Sequence, residues 1–230
     1  MNIEHYRFKT ELHLHTSPAS SCSDIPPQQA VDIYKELGYD SIVVCNHFWP
    51  GMPFREDKQK CLENYLADYD KTVEAGLKCG LNVILGCEIR FTENVNDYLL
   101  FGIEKTTLDF AYDYIEKGIE AFSRDFRSAS QLIVQAHPFR NNMTRIDPGL
   151  LDGMETFNMH PNHNSRVALA AKYAREHGLI PTAGTDFHHL GHEGICSLLT
   201  KSELKTSHDI VDVLKSGDYL FEIGGSIVLP

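Results

Sequence analysis

Apolar residues along this 230-residue chain fall into short runs, each ending on a polar or charged residue, separated by longer stretches with apolar positions three and four apart. The short runs predict strands and the longer stretches helices. Thr10-Glu-Leu-His-Leu-His-Thr16 alternates strictly, so in a strand His13 and His15 share one face while Leu12 and Leu14 point the other way. The polar run from Ser17 to Asp24 ends it. Pro26-Pro27 opens a helix in which Ala30, Ile33, Tyr34 and Leu37 form one face, and Gly38 closes it. Ser41 to Cys45 is continuously apolar, the pattern of a strand covered on both faces of a parallel sheet. It ends at Asn46-His47, and Phe48 to Arg55 has too many breakers for regular structure and reads as a loop over a site.

The same alternation continues. A helix from about Lys58 to Cys79 stops at Gly80, and Leu81 to Leu85 is a buried strand ending at Gly86-Cys87-Glu88. Tyr98 to Phe101 reads as a strand, about Leu108 to Phe126 as a helix, and Gln131 to Ala136 as a strand ending at His137-Pro138. Met154 to Phe157 is a weaker strand ending at Asn158. Asn164 to His177 is a helix closed by Gly178, and Leu179 to Ala183 a strand ending at Gly184-Thr-Asp186-Phe-His188. Last come a helix around Ser207 to Lys215 and a strand at Tyr219 to Ile223. There is no internal repeat, low-complexity tract or linker. Residues 1–230 therefore read as one α/β domain with a parallel sheet curled into a barrel.

Charge narrows the partners. With 21 basic against 32 acidic residues the net charge is −11, which gives no general attraction to a nucleic-acid backbone or an anionic membrane. No apolar run is long enough to span a bilayer and the N-terminus lacks a secretory core, so a cytoplasmic protein is expected. The six cysteines lack paired short spacing, which favours reduced thiols over a disulfide frame or a zinc knuckle.

The candidate chemistry lies at the strand ends: His13, His15, His47, Glu88, His137, Asp186 and His188 each fall within a residue or two of the end of an apolar run. In α/β barrels those ends form the active-site rim. Imidazole suits zinc, iron and nickel, while carboxylates suit harder ions and can bridge two of them. More ligands are present than one ion needs, which predicts a cluster of two or three divalent ions (Zn, Mn or Fe) with Glu88 or Asp186 as the bridge.

In the order and placement of these residues the chain resembles the PHP (polymerase and histidinol phosphatase) superfamily of metal-dependent phosphoesterases. His13 and His15 match its His-x-His, Ser23-Asp24 its Ser-Asp, Cys45-Asn46-His47 its Thr-Asp-His, and Gly86-Cys87-Glu88 its Gly-x-Glu. His137-Pro138 matches its His-Pro, and Asp186-Phe187-His188 its Asp-x-His. The resemblance implies a distorted (β/α)7 TIM-like barrel with a trinuclear cleft. His13, His15, Glu88 and Asp186 would hold one ion, Glu88 and His137 a second, and His47 and His188 with Asp24 a third. Two departures stand out. Asn46 replaces a common Asp, removing an acceptor behind the ligands. Many members also carry a further His after the Glu motif, near the end of the Tyr98–Ile103 strand. Here Phe101-Gly-Ile-Glu104 has none, which leaves the second ion loose, bound through another residue, or absent.

The implied chemistry is phosphoester hydrolysis by a metal-activated hydroxide, on a small phosphomonoester such as histidinol phosphate or a nucleotide. Arg140 and then Arg90 are the candidate cations for the phosphate, with Asp186 and His188 as further catalytic candidates. The competing readings are an exonuclease, a protein-tyrosine phosphatase and a non-catalytic metal-binding scaffold, and oligomeric state is left open. His160 and His163 read as part of an Asn-rich helix-capping loop, His189 and His192 as shaping the rim. Phe48, Trp49 and Phe54 read as a lid or a cover of the barrel mouth.

Overall fold

The computed structural model describes residues 3–230. In chain order the first strands are β1 (Phe8–Leu14), β2 (Ser41–Val44), β3 (His47–Phe48), β4 (Asn82–Leu85), β5 (Cys87–Arg90) and β6 (Asp97–Phe101). They are followed by β7 (Leu132–Gln135), β8 (Gly153–Asn158), β9 (Ile180–Gly184), β10 (Cys196–Thr200), β11 (Leu220–Ile223) and β12 (Ser226–Val228). The helices are α1 (Pro27–Glu36), α2 (Lys58–Cys79), α3 (Lys105–Tyr112), α4 (Gly118–Phe126), α5 (Val167–His177) and α6 (Ser207–Ser216).

Two six-stranded mixed sheets result, in the orders β12-β11-β10-β1-β2-β4 and β3-β5-β6-β7-β8-β9. They adjoin because β2 runs on into β3 and β4 into β5, with Gly86 N–H donating to Val44 O and Glu88 N–H to Asn46 O across the break. At the far edge Leu14, the last residue of β1, bridges to Phe187, just past the end of β9. The ends of β1, β3, β5 and β9 therefore meet.

The α/β class stands, with helices where apolar spacing places them. Asp57 caps α2 by accepting from Lys60 N–H, and Gly80 ends it at φ +71°. Three expectations change. The sheets are mixed rather than parallel, because β6 runs antiparallel to both β5 and β7, and β10 to β1. The helix expected over 108–126 is two, α3 and α4, broken where Gly118 takes φ +81°. Finally, β10 was not expected: Cys196-Ser-Leu-Leu-Thr is short and weakly patterned, and its pairing with β1 and β11 makes it a strand.

The apolar run after β2 is not one lid. Phe48 is wholly buried against Tyr65 in the core, whereas Phe54 is exposed under Lys60, and only Trp49 lines an open cavity, beside Arg90. Among the described residues no helix is long and apolar enough to cross a membrane. All six cysteines are free thiols.

Candidate metal centre

Alternation along β1 does what the sequence implies: His13 and His15 project together, both fully buried. Their Nε2 atoms lie 3.0 Å apart. Glu88 from β5 lies 3.5 Å from His13 Nε2 and 3.4 Å from His15 Nε2, and Asp186 Oδ1 lies 3.5 and 3.4 Å from the same two atoms. A tetrahedral ion with bonds of about 2.0–2.1 Å holds its donors about 3.3–3.4 Å apart. His13, His15 and Glu88 thus group as donors that could hold one such ion, and Asp186 Oδ1 stands at a donor's distance from both imidazoles.

The lone pairs can be assigned from the hydrogen bonds behind them. Ser20 Oγ has one proton and gives it to Asn46 Oδ1 (2.9 Å), so it accepts from His47 N–H (2.9 Å) and from His15 Nδ1–H (3.0 Å). His15 Nε2 is left as an acceptor facing the centre. On the other side the Glu155 carboxylate takes His13 Nδ1–H at 2.9 Å, leaving His13 Nε2 free in the same way. Glu155 also accepts from His137 N–H (2.8 Å) and Asn158 Nδ2 (3.0 Å), and Asn158 reaches Asp186 Oδ2 at 3.2 Å. Asn46 retains the acceptor that its replacement of Asp was expected to remove, since its Oδ1 takes both Thr16 N–H and Ser20 Oγ.

His137 Nε2 lies 2.9 Å from Glu88 Oε1. The further His expected near Ile103 would have been at the wrong end, because β6 is antiparallel and brings its first residue, Asp97, to the rim. Asp97 is buried, its Oδ2 is 3.8 Å from His137 Nε2, and it groups with His47 and Glu88 as a set that could hold an ion. It also gathers the two predicted arginines: Arg90 binds it bidentately at 2.6 Å through each contact, and Arg140 approaches at 3.8 Å. Both line one polar cavity of about 440 Å³ with Asn141, Asn142, Asn162 and His163.

A third set is His15, His47 and His188. His188 Nδ1–H donates to Asp186 O at 2.8 Å, which leaves Nε2 as its acceptor. Asp24 is not brought into this set. Its side chain is 68% exposed and pairs with His189 Nδ1 at 3.3 Å. Cys22, two residues earlier, stands there instead, in hydrogen-bonding reach of His188 and His47. Burial alone would raise the Cys22 thiol, but these two imidazoles bring it down to about 6. His160 is buried and stacked on His163, and His163 Nδ1 lies 3.9 Å from Asp186 Oδ2 and 3.3 Å from Arg140. The helix behind them starts at Arg166 with no side-chain cap. The loop therefore faces the centre rather than capping α5.

The electrostatics of the centre suit a bound cation. Burial works against every charged form here, yet the charges of Glu155, Asp186 and Glu88 hold His13 well above its ordinary value, and Glu88 lifts His47 to about 10. Glu88 and Asp186 are driven far down by the facing imidazoles, while burial and the charges of His188 and His47 keep His15 neutral. Two buried atoms, Glu88 Oε2 and His137 Nδ1, have no hydrogen bond. Glu88 Oε2 comes within 2.7 Å of His47 Nδ1 but outside hydrogen-bond geometry. Unpaired buried donors and acceptors cost about 1–3 kcal/mol each, and a cation beside Glu88 Oε2 would relieve the cost of that oxygen. His137 and Asp186 also sit at φ +31° and +54°, strained positions for side-chain-bearing residues of the kind that gather at functional sites. The residues fit bound divalent cations.

The strand ends of these mixed α/β sheets thus bring imidazoles and carboxylates into groups that could hold metal ions. The chain belongs to the PHP domain family, whose model matches residues 11–224. It is similar in fold to a two-domain protein from Bacteroides vulgatus containing a predicted PHP-like metal-dependent phosphoesterase. That match has 17% identity and a TM-score of 0.68, and covers 94% of this chain and 64% of that one. PsfC from Pseudomonas syringae is similar over 89% of this chain and 87% of its own (15% identity, TM-score 0.60). An amidohydrolase from Chromobacterium violaceum, solved with bound sulfate and no metal, is similar over 80% and 89% (14% identity, TM-score 0.53). Among curated proteins none matches the sequence.

Proposed function

We propose that this chain hydrolyses a small phosphomonoester, with two or three divalent cations as cofactors. The observation that carries the reading is the approach of both Glu88 and Asp186 to the Nε2 atoms of His13 and His15, beside a cavity lined by two arginines. When bound, such cations supply Lewis acidity, acidifying water toward neutral pH and neutralising charge on phosphoryl oxygens. We read the two adjoining sheets as the distorted (β/α)7 barrel whose rim presents them.

His13, His15, Glu88 and Asp186 would hold the first ion. Glu88 with His137 and Asp97 would hold the second, with Glu88 as the bridge, and His47 and His188 would contribute to a third. Glu155, Ser20 and Asn158 aim these ligands. Arg140 and Arg90 bind the phosphate. Arg90 commits two of its five N–H donors to Asp97, which fixes the guanidinium plane and leaves three for an anion. His188 is an ion holder rather than a leaving-group acid, because its Nδ1 proton is engaged by the Asp186 carbonyl. The Asn- and His-lined cavity, about 440 Å³, is of a size and polarity for a small polar substrate.

The test pairs elemental analysis with p-nitrophenyl phosphate and bis-p-nitrophenyl phosphate turnover, before and after chelation. Two or more ions per chain and chelator-sensitive, monoester-preferring turnover are expected. Asp186→Asn should abolish turnover while circular dichroism is kept. Turnover by Asp186→Asn at the unaltered rate would sink the assignment.

A further inference from the structure

One group at the rim has no part in the scheme above. Cys22 lies in the polar loop between β1 and α1, with its thiol in reach of the side chains of both His47 and His188. It lines an open cavity of about 280 Å³ with Ser21, His47, Trp49 and Arg90. The third set of imidazoles is short of donors. His15 gives Nδ1 to Ser20 and turns Nε2 to the first ion, so only His47 and His188 remain. The acidic residue expected to complete the set, Asp24, faces solvent and His189. From the other side Glu88 Oε2, wholly buried and without a hydrogen bond, points at His47 from 2.7 Å. The Cys22 thiol thus meets the imidazoles of both His47 and His188, and with His47 it lines a space opening to solvent.

We propose that Cys22 ligates a divalent cation there, together with His47 and His188, giving a His2Cys site with an open position toward the cavity. This rests on the reading of the centre as a metal site. Three protein ligands and one open position are the pattern of a zinc site that can take a substrate oxygen. A thiolate donor also sets this position apart from the His/carboxylate positions by favouring soft ions over manganese. The exchange of an oxygen or nitrogen donor for sulfur makes the site visible by spectroscopy.

The test uses the full chain, stripped with chelator and reloaded with Co(II) alone, followed by absorption spectroscopy and elemental analysis. The expected spectrum combines visible ligand-field bands with a near-ultraviolet thiolate-to-cobalt charge-transfer band equivalent to one ion per chain. Cys22→Ser should lose the charge-transfer band and weaken one bound Co(II) tenfold or more, with Mn(II) loading little changed. Cys22→His should keep the ion without the band. Cys79→Ser, at a thiol bonded to Ala75 O and Gly76 O at the end of α2, should change neither. Bound cobalt with no charge-transfer band in the parent chain, or an undiminished band in Cys22→Ser, overturns the proposal while leaving the His/carboxylate centre standing. No cobalt bound at all overturns both.

Discussion

Glu155 is the residue whose replacement best tests how the centre is built, because it touches no ion yet decides which nitrogen of His13 faces the others. Its carboxylate serves three donors: His13 Nδ1–H on Oε1, and His137 N–H with Asn158 Nδ2–H on Oε2. Glu155→Gln keeps the shape but has one acceptor atom. If the amide oxygen stands where Oε1 was, the NH2 group faces two donors, and each conflict costs about 1–3 kcal/mol in a buried site. If the oxygen stands where Oε2 was, a single conflict remains, with His13, and the imidazole escapes it by moving its proton to Nε2. The second arrangement is the cheaper one, and it protonates the very atom that lies 3.0 Å from His15 Nε2 and 3.5 Å from Glu88 and Asp186. Loss of such a supporting partner costs about 10- to 100-fold in metal affinity, or about 1.4–2.7 kcal/mol. Chelator competition measures this directly, and the 15N shifts of His13 in the metal-loaded protein report the tautomer. An unaltered Nδ1–H tautomer with an affinity within about twofold of the parent would refute the reasoning.

Gly184, at the end of β9, is the backbone side of the same contact. A Cβ there would run into His13 Cβ and stand 2.6 Å from Glu155 Oε1. Gly184→Ala should therefore displace His13, with an overpacking cost of about 1–3 kcal/mol. That lowers Tm by roughly 2–12 °C for a chain of this size and reduces metal loading in parallel; equal Tm and loading would contradict the packing. Acid should strip the ions, because each imidazole must be unprotonated to ligate. Apparent affinity should fall by about one log unit per pH unit for each proton that a bound ion displaces, and a pH-independent affinity below pH 6 would exclude imidazole ligands.

Much of this centre is legible in the sequence because it depends on local rules. Strand alternation makes His13 and His15 neighbours, and the ends of apolar runs mark His47, Glu88, His137, Asp186 and His188 as rim residues whatever the strands' partners. Glu155 carried a usable signal, an acidic residue inside an apolar strand, which burial tolerates only with partners. What the sequence left undecided was set by pairing across long separations. The direction of β6 depends on β5 and β7, and its reversal brings Asp97 rather than a residue near Ile103 to the ions, with Arg90 and Arg140 drawn to it. Which residue of the Ser17–Asp24 loop turns inward is likewise a tertiary matter. Loop side chains follow no period, and only the packing of that loop against His47 and His188 puts Cys22 at the rim and Asp24 in solvent. Residue types and local alternation thus determined the kind of chemistry, and strand direction with loop packing decided which side chains complete it.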